Sequence, residues 1–386
     1  MNNIPYGKQH ITEEDIDAVV QTLRSDFLTQ GPKVREFEEK FARYVGSKYA
    51  VAVSNGTAAL HLSVLALGLK PGQKVITTPI SFAATSNCVL FENAEIEFVD
   101  IDPHTALIDL KKLRTLLEGS PKHTYSGIIP VDFAGCPVNL EEVREIADEF
   151  GLWIIEDACH APGGFFTNGS GVKVLCGNGK YADASVFSFH PVKHIATGEG
   201  GMITTDSPLL YEKLILLRTH GITKDSERFL LSEKDVLQGG WYYEMQTLGY
   251  NYRISDILAA LGISQLDRAD VGIADRRKIA SIYDDALSNK MNVQPLTKFS
   301  DFSGHAYHLY VIQTLNRNAL YEKLRKNSVF AQVHYVPIHL FPYYKSLGYR
   351  KGMFPHAERY YEHALSLPMF PTLSKEDQDR VIQLLD

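Results

Sequence analysis

A lysine does covalent chemistry with carbonyl groups when the fold draws its amine out of water and sets partner groups around it. In this sequence the lysine so placed is Lys193, within Ser188-Phe-His-Pro-Val-Lys193-His-Ile-Ala-Thr-Gly-Glu-Gly-Gly201, which follows one strand-like run and precedes another. A loop of that kind lies at a strand's end, where open parallel sheets build their sites. An ordinary lysine is a solvated surface residue because its charge is costly to bury, so its neighbours must give this one a purpose. The preceding strand ends in Glu156-Asp157-Ala-Cys-His160-Ala-Pro-Gly163, and a carboxylate beside a pyridine-type nitrogen raises the nitrogen's pKa and keeps it protonated. A third segment, Val53-Ser-Asn-Gly56-Thr57-Ala58-Ala59, runs from a strand into a helix N-terminus, where free amides and the helix dipole favour a phosphate dianion. Gly56 lets the backbone come close, and the Thr57 hydroxyl adds a donor. An imine-forming amine, an acid for a ring nitrogen and a phosphate cradle together suit pyridoxal 5'-phosphate (PLP), which withdraws electrons only while its ring nitrogen is protonated.

The elements that must position these groups are legible as a rhythm. Short β-rich runs at Tyr49 to Val53, Lys74 to Thr78, Glu95 to Val99, Gly127 to Val131, Leu152 to Glu156, Ala184 to Ser188 and Met202 to Thr205 alternate with helical patterns. That alternation predicts an α/β fold with a large, mainly parallel sheet. Thr12 and Asp15 form a variant capping box ahead of Ile16, Val19, Val20 and Leu23, so the first helix starts near residue 13. Asn139 reads as an N-cap before the apolar stripe Val143, Ile146, Ala147 and Phe150. The helix beginning near Thr57 is apolar almost all round, as expected of a segment packed on both sides. The Gly-rich stretch Gly163 to Gly179 reads as a surface loop between two strands. Beyond residue 254 the alternation weakens and long helical patterns such as Ile279, Ile282, Tyr283, Ala286 and Leu287 take over. This divides the chain into an N-terminal arm with a large domain, residues 1–254, and a smaller C-terminal α/β domain, residues 255–386.

Composition narrows the function classes. At 386 residues the chain can bury a sizeable core, and its net charge of -7 offers no long-range attraction to nucleic acid. Cys88, Cys136, Cys159 and Cys176 form no CxxC pair, which argues for reduced thiols and no metal ribbon. Cys159 beside His160 could suggest a nucleophile dyad, but adjacent residues of an extended chain point to opposite faces. His334 and His339 lack an evident acidic partner for a metal. An N-terminus without an apolar core, and no run of eighteen apolar residues, predict a cytoplasmic protein with no membrane segment.

The motif FSFHPVKHIATGEGG, with IPYGKQ, SDFLTQGP, SNGTAAL, TPISFAATSN, HGI at 220–222 and QVHYVPIH, resembles the sugar-nucleotide aminotransferase family (DegT/DnrJ/EryC1/StrS) along nearly the full chain. The resemblance implies an aspartate-aminotransferase-like, type I PLP-dependent transferase fold. It makes Lys193 the lysine bonded to the cofactor aldehyde and sets Asp157 at the pyridine nitrogen. Phe82 would stack on the ring, with His160 near the ring and its phenolic oxygen. Gly56, Thr57, Ala58 and Ser188 would hold the phosphate, and Asn251 would reach the phosphate of the neighbouring subunit in a homodimer with shared active sites. Tyr6, the segment Asp26, Phe27, Leu28 and Thr29, and Gln332, Val333, His334 and Tyr335 would contact substrate. The implied partners are L-glutamate as donor and a UDP-linked keto-sugar as acceptor. By resemblance that acceptor is UDP-2-acetamido-2,6-dideoxy-beta-L-arabino-hexos-4-ulose, and the product UDP-4-amino-4,6-dideoxy-N-acetyl-beta-L-altrosamine on the way to pseudaminic acid. The chain departs from the family in a longer stretch between His160 and Lys193, which could alter access or subunit packing. Three other readings stand beside this one: another nucleotide-linked 4-keto-6-deoxy sugar, a sugar 3-dehydratase, or a non-catalytic regulator. The dehydratase would carry histidine in place of Lys193, and the regulator would need a DNA-reading domain that the sequence lacks.

Overall fold

A computed structural model describes residues 2–231, 239–296 and 304–385. Seven strands form the central sheet: β1 (Tyr49–Val53), β2 (Lys74–Thr77), β3 (Glu95–Phe98), β4 (Tyr125–Ile128), β5 (Trp153–Asp157), β6 (Ala184–Ser188) and β7 (Gly201–Thr205). Their spatial order is β1-β7-β6-β5-β4-β2-β3. The pairs from β6 through to β3 are parallel, whereas β7 runs antiparallel to both β6 and β1. The sheet is mainly parallel as its apolar runs predict, and β1 and β6 have the expected bounds. The strand expected at Gly127 to Val131 begins two residues earlier, at Tyr125, and ends at Ile128. Pro130 has no N–H to give the ladder, so regular pairing stops before it and Val131 keeps only an isolated bridge to Asp157.

The register of β7 brings the chemical segments together. Gly201 lies opposite Val53 on one side and Ser188 on the other, so the cradle after β1 and the lysine loop after β6 leave the sheet at one edge. Asp157 pairs with Val186 in the parallel neighbour and ends at the same edge. Only glycine fits at 201, because a Cβ there would stand 2.6 Å from the Asn55 carbonyl oxygen.

Helix α1 (Glu13–Leu23) begins where expected, with the Thr12 N–H donating to Asp15 at 2.9 Å. Asp15 also accepts from Ser264, Gln265 and Arg268, so the cap residue doubles as a tether between helices. Helix α2 (Pro32–Val45) starts on a proline, whose fixed φ suits the first turn. Helix α3 (Gly56–Ala66) is buried on nearly all sides and starts one residue before Thr57, with Asn55 as its N-cap: the Asn55 side chain accepts from the Ala58 N–H at 2.8 Å. Fully buried Leu62 on this helix contributes about 1.5–3 kcal/mol by leaving water. Further along come α4 (Ala84–Leu90) and α5 (Leu140–Phe150), the latter capped by Asn139. The stretch Gly163 to Gly179 is more than a surface loop. Phe165–Thr167 and Lys173–Leu175 pair as an antiparallel hairpin, and Phe166, Val174 and Cys176 are buried beneath it.

After the sheet, α6 (Asp256–Leu266) packs with α1 and α2, and α7 (Ala269–Leu287) turns its Ile279, Tyr283 and Leu287 into a second core. A three-stranded antiparallel sheet of Gln294–Pro295, Tyr310–Gln313 and Ala364–Leu367 completes that core. Among the described residues no helix is long and apolar enough to cross a membrane.

Candidate active site

At the sheet edge set by β1, β5 and β6 lies a cavity of about 430 Å³, whose wall includes Lys193, Asp157, Gly56, Thr57, Ser188 and His160. Desolvation lowers the pKa of the Lys193 amine, with nearby Cys159 and Asp157 pulling the other way. The amine is thus biased toward the neutral form that attacks carbonyls.

Asp157 is buried and held in a fixed pose. The Thr85 hydroxyl of α4 donates to Oδ2 at 2.7 Å, and the Cys159 N–H donates to Oδ1 at 3.3 Å. Since Thr85 spends its proton on Asp157, Ser81 donates to Thr85 in turn, at 2.6 Å. His160 is fixed with equal economy. The Ala134 N–H donates to its Nδ1 at 3.2 Å, which places the ring proton on Nε2, 3.2 Å from the Tyr335 hydroxyl oxygen. Burial, then the positive charge of Lys193, lower the pKa of His160 and keep the ring neutral. Ala134 adopts the left-handed region, φ 59°, to present that amide.

The residues present fit PLP. In the first turn of α3 the Asn55 side chain takes the Ala58 N–H, leaving the amides of Gly56 and Thr57 without an intrahelical acceptor. A Cβ on Gly56 would stand 3.0 Å from the Ser188 Cβ, so any larger residue at 56 would crowd the cradle. A neutralisable amine, an oriented carboxyl group and a phosphate-sized helix terminus share one cavity.

The structure brings together Tyr6, Gly56, Thr57, Phe82, Asp157, His160, Ser188, Lys193, His334 and Tyr335 on the cavity wall. Phe82 stands at the mouth, 61% exposed. The His334 Nδ1 is tied to Ser366 at 2.9 Å, and burial followed by Lys193 lowers the pKa of this ring to about 3. Ala58 is buried behind the first turn of α3. Outside the wall lie Gln332 and Val333, and the exposed set Asp26, Phe27, Leu28, Thr29 and Asn251. Sequence reasoning missed Asn55, Ser81, Thr85 and His308. The N-cap preference of asparagine could have found Asn55. Ser81 and Thr85 stand in the TPISFAATSN motif, but nothing local tells which of its residues turn toward Asp157. His308 comes from a bend far along the chain, just ahead of the strand Tyr310–Gln313, and its ring lies 4.3 Å from that of His160, tilted at 36°.

Two expectations need correction. Cys159 and His160 both reach the cavity wall, because residues 159–160 form a turn and not an extended strand. The Cys159 thiol is nonetheless inert, since burial and then Asp157 push its pKa up. His339 does have an acidic partner, Glu358 at 3.0 Å, but His334 is engaged elsewhere and the two do not converge.

On the other face of β5, Glu156 lies buried with Asp132 and Cys176, their potential ligand atoms within 4.8 Å of one another. Burial first, then mutual repulsion, raises the Asp132 pKa, and burial raises that of Glu156. Asp132 Oδ2 and Glu156 Oε1 have no hydrogen-bond partner, and the upward shifts favour keeping a proton on the pair.

The model of the DegT/DnrJ/EryC1/StrS aminotransferase family matches residues 9–386. A Campylobacter jejuni protein named UDP-4-amino-4,6-dideoxy-N-acetyl-beta-L-altrosamine transaminase is 37% identical over 380 residues, spanning 97% of this chain and 94% of its own. The Bacillus subtilis spore coat polysaccharide biosynthesis protein SpsC is 38% identical over 389 residues, spanning 98% and 95%. The solved structure of Helicobacter pylori PseC, an aminotransferase involved in the biosynthesis of pseudoaminic acid, superimposes with a TM-score of 0.88 at 30% identity, over 100% of this chain and 98% of that one.

Proposed function

Since the chain belongs to the DegT/DnrJ/EryC1/StrS aminotransferase family, we propose that it is a PLP-dependent enzyme moving the amino group of L-glutamate to C4 of a UDP-linked 4-keto-6-deoxy-HexNAc. The acceptor we favour is UDP-2-acetamido-2,6-dideoxy-beta-L-arabino-hexos-4-ulose, giving the altrosamine product of pseudaminic acid synthesis. The observation that carries the reading is the convergence of a pKa-lowered Lys193, a doubly hydrogen-bonded Asp157 and the Gly56 cradle on one cavity.

Bound PLP supplies the electron sink that stabilises charge at the substrate carbon. With PLP bound, Lys193 would hold it through Nζ, and its amine would serve as the base and acid that moves a proton at the substrate carbon. Asp157, oriented by Thr85, keeps the proton on the ring nitrogen. Gly56, Thr57, Ala58 and Ser188 bind the phosphate, while Phe82 and His160 flank the ring. Tyr6, Gln332, Val333, His334 and Tyr335 orient the sugar nucleotide.

Asp26 to Thr29 and Asn251 act from the partner of a homodimer. In support, Asn251 and the segment are exposed, and the segment is tied to the chain just after Asn251: Thr29 bridges to Ser255 and the Asp256 N–H donates to the Leu28 carbonyl at 3.0 Å. Phe27 and Leu28 expose apolar area there, as an interface core would.

Borohydride reduction followed by peptide mapping tests the lysine. Label is expected on Lys193, and Lys193→Ala should lose label together with at least about 10²–10⁴ of the turnover; label on another residue overturns the reading. Mixing Lys193→Ala with Asn251→Ala protomers tests sharing. A partner-supplied Asn251 leaves one intact site per mixed dimer and restores activity, whereas no restoration means it acts within its own chain. The spore coat protein, at 38% identity, is as near to this chain as the altrosamine transaminase, at 37%. That similarity to a protein of another polysaccharide supports a second acceptor, another nucleotide-linked 4-keto-6-deoxy sugar, and a panel of UDP- and dTDP-linked ketosugars with glutamate decides between the two.

A further inference from the structure

Asn251 stands between two tyrosines that face the other way. The rings of Tyr250 and Tyr252 stack on each other, centroids 5.0 Å apart at 21°, and both pack against His61 of α3, at 4.9 and 5.9 Å. The Tyr252 hydroxyl lies 3.1 Å from His61 Nδ1, while His61 Nε2 lies 2.7 Å from Glu92 Oε1. A carboxyl oxygen accepting at Nε2 puts the ring proton there and leaves Nδ1 to accept from Tyr252. The backbone is pinned on both sides: the Tyr250 N–H donates to Leu217 at 2.7 Å and the Ser54 N–H to the Tyr252 carbonyl at 2.8 Å. Along an extended backbone alternate side chains leave on opposite sides. Holding residues 250 and 252 inward therefore forces Asn251 outward, where it is exposed.

We infer that His61, its ring fixed by Glu92, is a positioning residue that clamps Tyr252 and so aims Asn251 at the cofactor phosphate of a second copy of this chain. The inference rests on the proposed action of Asn251 across the dimer. It also ties the two sites mechanically. The first turn of α3 cradles phosphate in its own subunit, and five residues later the same helix holds the segment that reaches the other. Glu92 and His61 are both largely shielded from solvent, so the clamp is not loosened by water competing for its hydrogen bonds.

The test measures PLP dissociation constants of the full-length protein by cofactor absorbance, inorganic phosphate competition at the same site, and dimer mass by sedimentation. Asn251→Ala and His61→Leu should each weaken PLP binding about tenfold, the size of one well-placed hydrogen bond, with dimer mass retained. Tyr252→Phe, which removes only the clamped hydroxyl and keeps the ring stack, should weaken it about threefold. Glu92→Gln keeps an oxygen that can accept from Nε2 and should stay within about twofold. The double variant His61→Leu with Asn251→Ala should bind no worse than Asn251→Ala alone, because both act through one contact. Additive losses in the double variant overturn the inference, since a merely structural histidine would behave that way. Wild-type affinity in both His61→Leu and Tyr252→Phe also overturns it. If Asn251→Ala itself binds PLP normally, the shared-site reading fails first and the clamp has nothing to aim.

Discussion

The two faces of β5 carry adjacent carboxyl side chains with opposite fates. Asp157 turns to the cavity, where a hydroxyl and an amide orient it and room is left beside it. Glu156 turns to the other side, where it meets Asp132, Cys176 and the Gly177 N–H at 2.8 Å, away from the wall of the cavity that Asp157 lines. Strand alternation alone separates them. The comparison teaches that burial of an acid does not identify a site. What sets Asp157 apart is that a cavity lies beside it, whereas Glu156 is packed against Asp132 and Cys176.

Substitutions on each face can break this contrast. The largest effect is expected from Asp157→Asn, which should lower transamination with glutamate by about 10²–10⁴ while thermal unfolding moves little; an unchanged rate would assign the ring nitrogen to another group. Glu156→Leu should do the reverse. It leaves the Gly177 N–H without an acceptor and so costs about 1–3 kcal/mol of stability in denaturant unfolding, yet the folded fraction should turn over normally. Thr85→Val removes one donor from Asp157 and should slow turnover about tenfold, sparing PLP binding; a loss of binding alone would mean that Thr85 shapes the cavity and does not orient the acid.

The smallest effect, a sharpening one, concerns Asp132→Asn. With the folded pKa of Asp132 raised, the unfolded chain gives up that proton first, near a pH of about 3.9. The contribution is therefore complete below that pH and is lost as pH rises toward the folded value. Asn mimics the protonated acid at every pH, so the stability of the variant relative to wild type should grow across that window. A difference independent of pH would rule out a proton kept on the pair.

Much of this arrangement is written locally in the sequence. β1 and β6 read with the right bounds because strands buried on both faces are continuous apolar runs, and Lys193, Asp157 and Gly56 announce themselves by lying just past such runs. The β4 register is legible too once Pro130 is given its missing N–H. The hairpin at Phe165–Thr167 and Lys173–Leu175 was hidden because its strands are three residues long and set among glycines, where turn and strand signals overlap. Thr85 and His308 were hidden for another reason: their work depends on which residue lies across the fold, and no periodicity encodes that. Asp26 to Thr29 and Asn251 show the same limit at the surface, since exposure alone marks neither a loop nor a contact.

The order of the strands also sets a timetable for the nascent chain. β1 joins the sheet only through β7, its sole neighbour among the described strands, and β7 is the last of the seven to leave the ribosome. Until Thr205 has been synthesised, β1 has no strand to pair with, and the helix terminus near residue 56 is held beside the amine at 193 only by the packing of α3 on β5 and β6. Closing that long loop is a slow, late step, so coenzyme capture should coincide with completion of the sheet and guard it against reopening.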